Sequence, residues 1–390
     1  MKENWEYIAL GECFPTIKNG ANIKQISGAM GFPITRIETL SGGVFNRDRM
    51  GYANITDLTQ YCDYVLESGD LLLSHINSKA YIGRTVEYKK EGDEKIIHGM
   101  NLLRLRSNSN VINSTLFVYF TKSSCFKDAV ARIRKDAVNQ SSVAISDLRK
   151  IKVPVPPLDE QKKIVAELDL LSGVIDKQKA ELRELDNLAQ STFYDMFGDP
   201  IENPKGWETR PLNEVAPQRP YEGTVPDVNG KYWLLNLDKV VSQSGDVLEK
   251  EMVDLNEIGN SVVAFDSTNV LYSKLRPYLN KVVIPNDFGY ATSELVPLKP
   301  NRECLDRVFL TFLLRSKSFV NLISVRVAGA KMPRVSMDFL RNFEVILPPL
   351  DLQQSFADKI ASIEKQKAAL TQSIAETQKL LDYTMDKYFG

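Results

Sequence analysis

The chain has only two histidines and four cysteines among its 390 residues. His75 and His98 are too few for a His-x-x-x-His or His-Glu-x-x-His zinc motif, and we interpret both as ordinary polar residues. The cysteines are scattered without a Cys-x-x-Cys pair, which argues against a disulfide framework and against a thiolate metal site. Such incidental thiols are typical of the reducing cytoplasm, where we expect the protein to reside.

Other absences narrow the function further. No stretch approaches twenty uninterrupted apolar residues, and the N-terminal sequence lacks a signal-peptide pattern, so we expect no membrane association. A P-loop and a glycine-rich dinucleotide fingerprint are both missing. Asn203-Pro204 lacks the second proline and the aromatic residue of an amino-methyltransferase motif, and Pro226-Asp227 has no Asp/Glu-x-Lys after it. The sequence therefore predicts a non-catalytic chain without a metal or cofactor of its own.

The net charge of −1 hides an uneven distribution along the chain. Residues 1–150 carry +4 and residues 274–341 carry +7, whereas residues 151–198 carry −3 and residues 205–273 carry −5. Positive charge concentrated in this way is compatible with a phosphate-facing surface on a neutral protein. Solvated charge clusters are common, so charge alone decides little.

An internal repeat is the main feature that the sequence does contain. Residues 153–198 (VPVPPLDEQ…FYDMFG) align with residues 345–390 (VILPPLDLQ…MDKYFG) at a shift of 192 positions. Each copy opens with prolines and continues in a proline-free heptad pattern, which is typical of a coiled coil. A helix from Asp159 to Phe197 would have 39 residues and a length of about 58 Å. We expect the two helices to pair through Ile164, Leu168, Leu171, Ile175, Leu182, Leu185, Phe356, Ile360, Ile363, Leu370, Ile374 and Leu381.

The repeat extends beyond the helices, because preceding segments also align as the shift falls from 202 to 192. We therefore predict an α+β fold with two strand-rich domains and two long antiparallel coiled-coil helices. The predicted boundaries are 1–152 for the first domain, 153–198 for the first helix, 199–344 for the second domain and 345–390 for the second helix. Strands are predicted at 69–76, 83–88 and 101–105 and again at 269–274, 280–284 and 294–298, with one helix per domain at 115–133 and 306–325.

Polar, basic and aromatic loops occupy matching places in the two domains. They lie at 74–84 and 139–142 in the first domain and at 273–281 and 329–334 in the second. Arginine and lysine donate hydrogen bonds to guanine edges or phosphates, and asparagine pairs with adenine, so these loops suit DNA readout. Any one of these residues could equally be a solvated loop residue. The candidate DNA-binding residues are Arg36, Ser74, His75, Asn77, Lys79, Tyr81, Arg84, Asn139, Gln140, Asn236, Lys274, Arg276, Tyr278, Asn280, Lys281, Lys331 and Arg334.

These motifs resemble the specificity subunit of a type I restriction–modification system. The resemblance is carried by PPLDEQ at 156–161, PPLDLQ at 348–353, the connector FGDPIENPKGW at 197–207, and the phrases LLLSHINS, HGMNLLRLR and LYSKLRPYLNKV. It covers essentially the whole chain. It implies two target-recognition domains, each reading one half of a split site in double-stranded DNA, and two conserved antiparallel helices that fix the unread spacer and give pseudo-two-fold symmetry.

The same resemblance implies a host-defence complex with partner chains. Two methylation subunits would dock on the helical region, and restriction subunits would join them. S-adenosylmethionine, ATP and Mg²⁺ would be bound by those partners rather than by this chain. One departure is Ser172-Gly173 within the first helix, where a kink would alter the spacer length.

Two rival functions remain at this stage. A coiled-coil scaffold whose domains bind proteins would keep the helices and the repeat but would not need the paired basic and polar loops. A self-contained methyltransferase or nuclease would need a catalytic set, and we find none in the sequence. Salt-dependent association with duplex DNA separates the DNA-binding hypothesis from the scaffold.

Overall fold

The computed structural model describes residues 5–138, 140–327 and 331–390, and it divides the chain into two compact units. The first unit contains the chain up to Gln178 together with Gln372–Gly390. The second unit contains Lys179–Thr371. Each unit therefore holds one globular domain and parts of both long helices. The four-segment division by sequence remains a prediction, and strands cross its boundaries at 152–155 and 344–347.

The first domain consists of short strands and short helices. Its strands are β1 Glu6–Ala9, β2 Thr16–Asn19, β3 Leu71–Ser74, β4 Ile76–Asn77, β5 Thr85–Glu87, β6 Leu102–Arg106, β7 Lys135–Asp136, β8 Ser141–Ser142 and β9 Lys152–Val155. Its helices are α1 Leu10–Cys13, α2 Ser114–Lys122, α3 Ser124–Ile133 and α4 Ile145–Leu148, and α5 Leu158–Phe197 follows. An antiparallel sheet in the order β2-β6-β3-β5 forms the centre, with β4-β8-β7 beside it and the pair β1-β9 next to the long helix.

The second domain repeats this plan and adds a sheet. Its strands are β10 Glu208–Pro211, β11 Lys231–Leu235, β12 Glu251–Asp254, β13 Val262–Phe265, β14 Val270–Ser273, β15 Val282–Val283, β16 Gly289–Thr292, β17 Leu295–Leu298 and β18 Glu344–Leu347. Its helices are α6 Leu212–Val215, α7 Arg307–Arg315, α8 Lys317–Arg326 and α9 Met337–Arg341, followed by α10 Leu350–Phe389. The sheet β15-β14-β17 corresponds to β5-β3-β6, and β10-β18 corresponds to β1-β9, whereas β12-β11-β16-β13 is a separate sheet.

The six predicted strands lie within two residues of observed ones, because each is a short apolar run that ends at polar residues. The prediction of one helix at 115–133 and another at 306–325 was wrong. Each segment forms two helices that break at a serine, Ser123 or Ser316. Their hydroxyls accept hydrogen bonds from the backbone amides of Phe126 and Phe319, so both serines cap the second helix of their pair.

The two long helices each contain 40 residues, and α5 continues through Ser172-Gly173 without a break. In the first unit, the side chains of Ile164, Leu168 and Ile175 share a core with Leu381 and Phe389. The start of α5 therefore packs with the end of α10. The second unit shows the reverse, because Leu185 and Phe193 near the end of α5 pack with Phe356 and Ile360 near the start of α10. The helices are antiparallel, as the sequence predicted.

Polar contacts give the register of this helix pair. In the first unit, Tyr388 Oη donates to Glu167 at 2.6 Å and Gln178 Nε2 donates to Ser373 Oγ at 2.7 Å. In the second unit, Lys367 Nζ lies 2.8 Å from Asp186. The remaining predicted pairing residues contribute unequally: Leu171 and Ile374 pack on the first core, Ile363 and Leu370 join the second core, and Leu182 is only partly buried.

A buried glutamine joins each long helix to its domain in the same way. Gln161 is fully buried, accepts a hydrogen bond from the Asn113 amide at 2.7 Å, and donates to the carbonyls of Val111 and Pro156 at 2.9 and 2.8 Å. Gln353 is also fully buried. It accepts from the Asp306 amide at 2.9 Å and donates to the carbonyls of Cys304 and Pro348 at 3.0 and 2.8 Å. We call these two arrangements the glutamine clamps.

Each clamp fixes the start of a domain helix. Asn113 caps α2 by accepting from the Leu116 amide, and Asp306 caps α7 by accepting from the amides of Val308 and Phe309. The capping residue of the domain helix is therefore tied directly to the long helix. Because every group in the clamp is paired, its hydrogen bonds offset the cost of desolvating the buried amides.

Among the described residues, no single helix is long and apolar enough to cross a membrane. The bent pair α7 and α8 meets that test by length and composition. Its apolar side chains, including Phe309, Leu313 and Phe319, are buried in the core of the second unit, which accounts for that composition.

Candidate nucleic-acid interface

The two candidate loops of the first domain lie side by side. Strand β4, in the loop at 74–84, pairs antiparallel with β8, so Ile76 faces Ser142 and Asn77 faces Ser141. The Val143 amide also donates to the His75 carbonyl at 2.9 Å. Residues far apart in the sequence thus form one small surface, which we call the first recognition cluster (residues 74–84, 134–138 and 140–142).

Several side chains of this cluster are available to a ligand. Lys79, Tyr81 and Gln140 are exposed, and Asn77 and Arg84 are partly exposed. The Arg84 guanidinium lies 4.5 Å from the centre of the Tyr81 ring, a cation–π contact that holds both side chains in place. Asn77 Nδ2 donates to Ser74 Oγ at 3.2 Å. The cluster therefore presents donors and an aromatic face together.

One carboxylate organises the hairpin of this cluster. Asp136 accepts hydrogen bonds from Arg134 Nε at 2.6 Å and from Ser141 Oγ at 2.7 Å. The hydrogen bond from Arg134, followed by that from Ser141, lowers the pKa of Asp136 to about 2. Lys79 Nζ lies 3.9 Å from the same carboxylate. Asp136 is thus ionised at neutral pH and compensates part of the local positive charge.

Two candidates in the first domain are buried. Ser74 is 1% exposed and His75 is 6% exposed, so neither side chain is available to a duplex in this structure. Burial lowers the pKa of His75 to about 4, and burial likewise lowers the pKa of His98 to about 4. Both imidazoles are neutral at pH 7. Asn139 lies outside the described residues.

The second domain builds its cluster from the corresponding segments. Leu275 forms an antiparallel bridge with Arg334, the Arg276 amide donates to the Pro333 carbonyl at 2.8 Å, and the Val335 amide donates to the Lys274 carbonyl at 2.9 Å. Residues 273–281 and 331–335 form the second recognition cluster, at the position that β4 and β8 occupy in the first domain. Residues 329 and 330 of the predicted loop lie outside the described residues.

The exposed side chains of the second cluster are different in kind. Arg276, Tyr278, Lys331 and Arg334 are exposed, and Lys274 is partly exposed. Arg334 pairs with Glu294 at 2.8 Å, and this hydrogen-bonded pair lowers the pKa of the carboxyl. Arg276 makes no side-chain hydrogen bond or ion pair with the described residues. Its backbone is left-handed, with φ at 48°, and it projects from a tight turn.

Two candidates of the second cluster support the loop from within. Asn280 is 8% exposed, and its Nδ2 donates to Gln243 Oε1 and to the Arg315 carbonyl at 3.3 and 3.1 Å. Lys281 Nζ donates to the Leu237 carbonyl at 2.8 Å, and burial lowers its pKa. Asn280 is therefore unavailable for base contact in this structure. Gln243, which also donates to the Tyr278 carbonyl at 3.2 Å, was missed because nothing in its local sequence marks it.

The two isolated candidates lie away from the paired segments in sequence. Arg36 is exposed and lies 3.4 Å from Glu38. Asn236 Nδ2 donates to Glu251 at 3.2 Å. The Lys281 contact with Leu237 places the segment after Asn236 beside the second recognition cluster. The part of the chain that the structure describes contains no group of three or more His, Cys, Asp or Glu side chains placed to hold a metal.

Comparison with known proteins agrees with this geometry. The protein-family model for the type I restriction modification DNA specificity domain matches residues 2–187 and again residues 204–379. The chain therefore belongs to the type I restriction–modification DNA specificity family, and it contains two target-recognition domains. Specificity subunits recognise DNA sequence and have no catalytic activity of their own; the chemistry lies in the subunits with which they assemble.

Similar proteins include a curated relative and two solved structures. The putative type I restriction enzyme MjaX specificity subunit of Methanocaldococcus jannaschii is 29% identical over 382 residues, which cover 93% of this chain and 87% of the relative. The S subunit of a type I system from M. genitalium has the same fold, with a TM-score of 0.56, 11% identity and coverage of 100% and 97%. A chain from a solved type I restriction–modification system gives a TM-score of 0.54, 17% identity and coverage of 100% and 98%.

Proposed function

We propose that the chain reads a bipartite site in double-stranded DNA, with each recognition cluster contacting one half-site. The observation that supports this most directly is the equivalent position of the two clusters. Both follow the corresponding strands β3 and β14, both pair with the segment before the long helix, and they present different side chains. Two copies of one scaffold with different recognition clusters are suited to reading two different DNA sequences.

Exposure narrows the set of residues that we propose for direct contact. In the first cluster these are Lys79, Tyr81, Gln140, Asn77 and Arg84, and in the second they are Arg276, Tyr278, Lys331, Arg334 and Lys274. Lysine and arginine can donate to guanine or phosphate, the amides can pair with adenine, and the tyrosines can pack on sugar or base. Ser74, His75, Asn280 and Lys281 would act by holding the loops in shape.

The paired helices would fix the length of the unread spacer. Helices of 40 residues are about 60 Å long, and equivalent major-groove faces recur about every 34–36 Å along a duplex. We further propose that two methylation subunits dock on the helical region and that restriction subunits join the complex. S-adenosylmethionine, ATP and Mg²⁺ would bind to those partners, and the complex would act in the cytoplasm.

Genome-wide mapping of adenine methylation with and without this chain tests the proposal. We expect a methylated bipartite motif that disappears when the chain is removed. Deleting one helical turn from the long helices should change the spacer and leave both half-sites unchanged. An unchanged spacer would contradict the role of the helices, and an unchanged methylation pattern on removal of the chain would contradict DNA readout.

A further inference from the structure

The second domain contains a positively charged cavity of about 440 Å³ that lies apart from the recognition cluster. Three cations line it, Arg219, Lys299 and Arg302, together with Thr268, Asn301 and one carboxylate, Glu214. We call this site the basic corner. Among the described residues, none of the three cations has a carboxylate within 4.0 Å, so their charges are not compensated by ion pairs.

The basic corner and the recognition cluster lie at opposite ends of one strand pair. In the register of β14 with β17, Ser273 faces Leu295 and Val270 faces Leu298. The recognition cluster follows Ser273, whereas Lys299 and Arg302 follow Leu298. The Lys299 amide donates to the Pro217 carbonyl at 2.9 Å, and Asn269 Nδ2 donates to the Arg219 carbonyl at 3.1 Å. The backbone of the corner is therefore held in place.

The same corner of the first domain is closed by ion pairs. Arg106 there occupies the position of Lys299, at the end of the strand that corresponds to β17. It donates to both oxygens of Asp70 at 2.8 and 2.9 Å and to Glu67 at 2.7 Å. Asp70 also accepts from the Glu67 amide at 2.8 Å. The cation is neutralised inside its own domain.

In the second domain an amide side chain stands where the first domain has a carboxylate, so the cation beside it has no ion-pair partner within the part of the chain that the structure describes. Asn269 takes the position of Asp70, and its Oδ1 accepts from the Asp266 amide at 3.0 Å, just as Asp70 accepts from that of Glu67. The Asn269 amide group then faces carbonyls, and Asp266 accepts from the amide and hydroxyl of Thr268. Lys299 is left without its carboxylate, and Arg219 and Arg302 add further positive charge.

We propose that the basic corner binds a phosphate group, supplied either by the DNA backbone flanking the recognised half-site or by a free polyphosphate. The three cations line one cavity with a single carboxylate, Glu214, so positive charge is in excess there. Phosphate offers several acceptor oxygens to guanidinium and ammonium donors. Thr268 and Asn301 on the same wall add polar groups. The site differs from base readout because it carries no sequence information.

The test uses the full-length chain with Lys299→Gln and Arg302→Gln combined. Both side chains are exposed and make no hydrogen bond with the described residues, so the fold should be retained. A matched control combines Lys359→Gln and Lys365→Gln, two exposed lysines of α10. Binding of a long random-sequence duplex is measured at several salt concentrations, and binding of inorganic tripolyphosphate is measured by calorimetry.

If the corner contacts DNA, the slope of log K against log salt should fall by roughly one to two units in the variant and remain unchanged in the control. If it takes a free polyphosphate, tripolyphosphate should bind to the parent chain and the control but not to the variant, with the DNA slope unaltered. A variant that matches the control in both measurements overturns the proposal. A negative result for the basic corner would not contradict the proposed half-site readout, because that readout depends on Arg276 and its neighbours.

Discussion

The two domains share a scaffold but differ at both ends of their central strands. Each has the same strand pair, the same broken helix pair, and the same glutamine clamp to a long helix. At one end the recognition clusters carry different side chains. At the other end the first domain has an internal ion-pair cluster where the second has open cations. Groups buried against the helices are thus repeated, whereas exposed groups are free to diverge.

The largest effect should come from the feature that the domains share. Gln161→Leu and Gln353→Leu each leave one buried amide and two carbonyls without partners, and each unpaired group costs about 1–3 kcal/mol. Summed over the three groups, the loss of unfolding free energy should be at least about 3 kcal/mol for each variant and should be confined to its own unit. Denaturant titration combined with hydrogen exchange measures both properties.

Gln178→Leu is the matched control for the clamps. Gln178 makes one hydrogen bond, to Ser373, and its Oε1 has no partner among the described residues. The change should therefore alter stability by less than about 1 kcal/mol. If Gln161→Leu and Gln178→Leu have equal effects, the clamp has no special role.

The recognition clusters should respond separately. Arg276→Ala should weaken one half-site by about 1–3 kcal/mol at a single base pair if Arg276 reads a base, and so should Asn77→Ala in the other half-site. If Arg276 contacts only phosphate, its loss should weaken all sequences alike and lower the salt slope by about one unit. Titration against single-base variants of each half-site distinguishes these outcomes. No change for any sequence would remove Arg276 from the interface.

The histidines make the first unit the more acid-sensitive one, because both of them lie there. The folded pKa of each is about 4, below the unfolded value of about 6.5. Protons therefore bind preferentially to the unfolded chain, and stability present above pH 6.5 is lost as the pH falls toward 4. At pH 5, each imidazole should lower the free energy of unfolding by up to about 2 kcal/mol relative to its value at neutral pH.

Hydrogen exchange at pH 7 and pH 5 should show this loss in the first unit, after correction for the intrinsic exchange rates. The combined change His75→Gln and His98→Gln removes both titrating groups and should reduce the difference between the two pH values. An equal loss in the second unit, or a loss that persists in the double variant, would rule out the histidines as its cause.

The smallest effect should come from the ion pair of Arg334 with Glu294 in the second cluster; the first cluster has its own pair, Arg134 with Asp136. Glu294→Gln removes a pair whose arginine is about half exposed, so the stability change should remain below about 1 kcal/mol. DNA affinity should rise a few-fold because a negative charge is removed beside the second cluster. Unchanged or weaker binding in a salt titration would show that Glu294 does not restrain the interface.

The sequence predicted the two long helices and the central strands well, since their patterns are local. The long helix predicted to start at Asp159 begins at Leu158, and short apolar runs located β3 and β14. The helix breaks at Ser123 and Ser316 were missed because the apolar pattern continues across them. The pairing of β1 with β9 joins residues about 145 positions apart, and no local signal indicates it.

The recognition clusters could be located but not resolved. Loop composition indicated the polar segments that follow β3 and β14, and their role in DNA binding stays a prediction; it could not show that Ser74, His75 and Asn280 are buried. Their burial depends on residues that are distant in the sequence, such as Gln243 and Arg315 for Asn280. The basic corner was missed because its three cations come from two separate segments, and only the fold brings them together.

The glutamine clamps have a consequence for how such a chain can diversify. Every partner of Gln161 and Gln353 is a main-chain amide or carbonyl. The glutamine clamps therefore do not depend on which side chains the contacted residues carry. A foreign domain with the same backbone path could be attached to either long helix without any change to the glutamine clamp. New target sequences would then be acquired by exchanging whole modules, with the glutamine clamps left untouched.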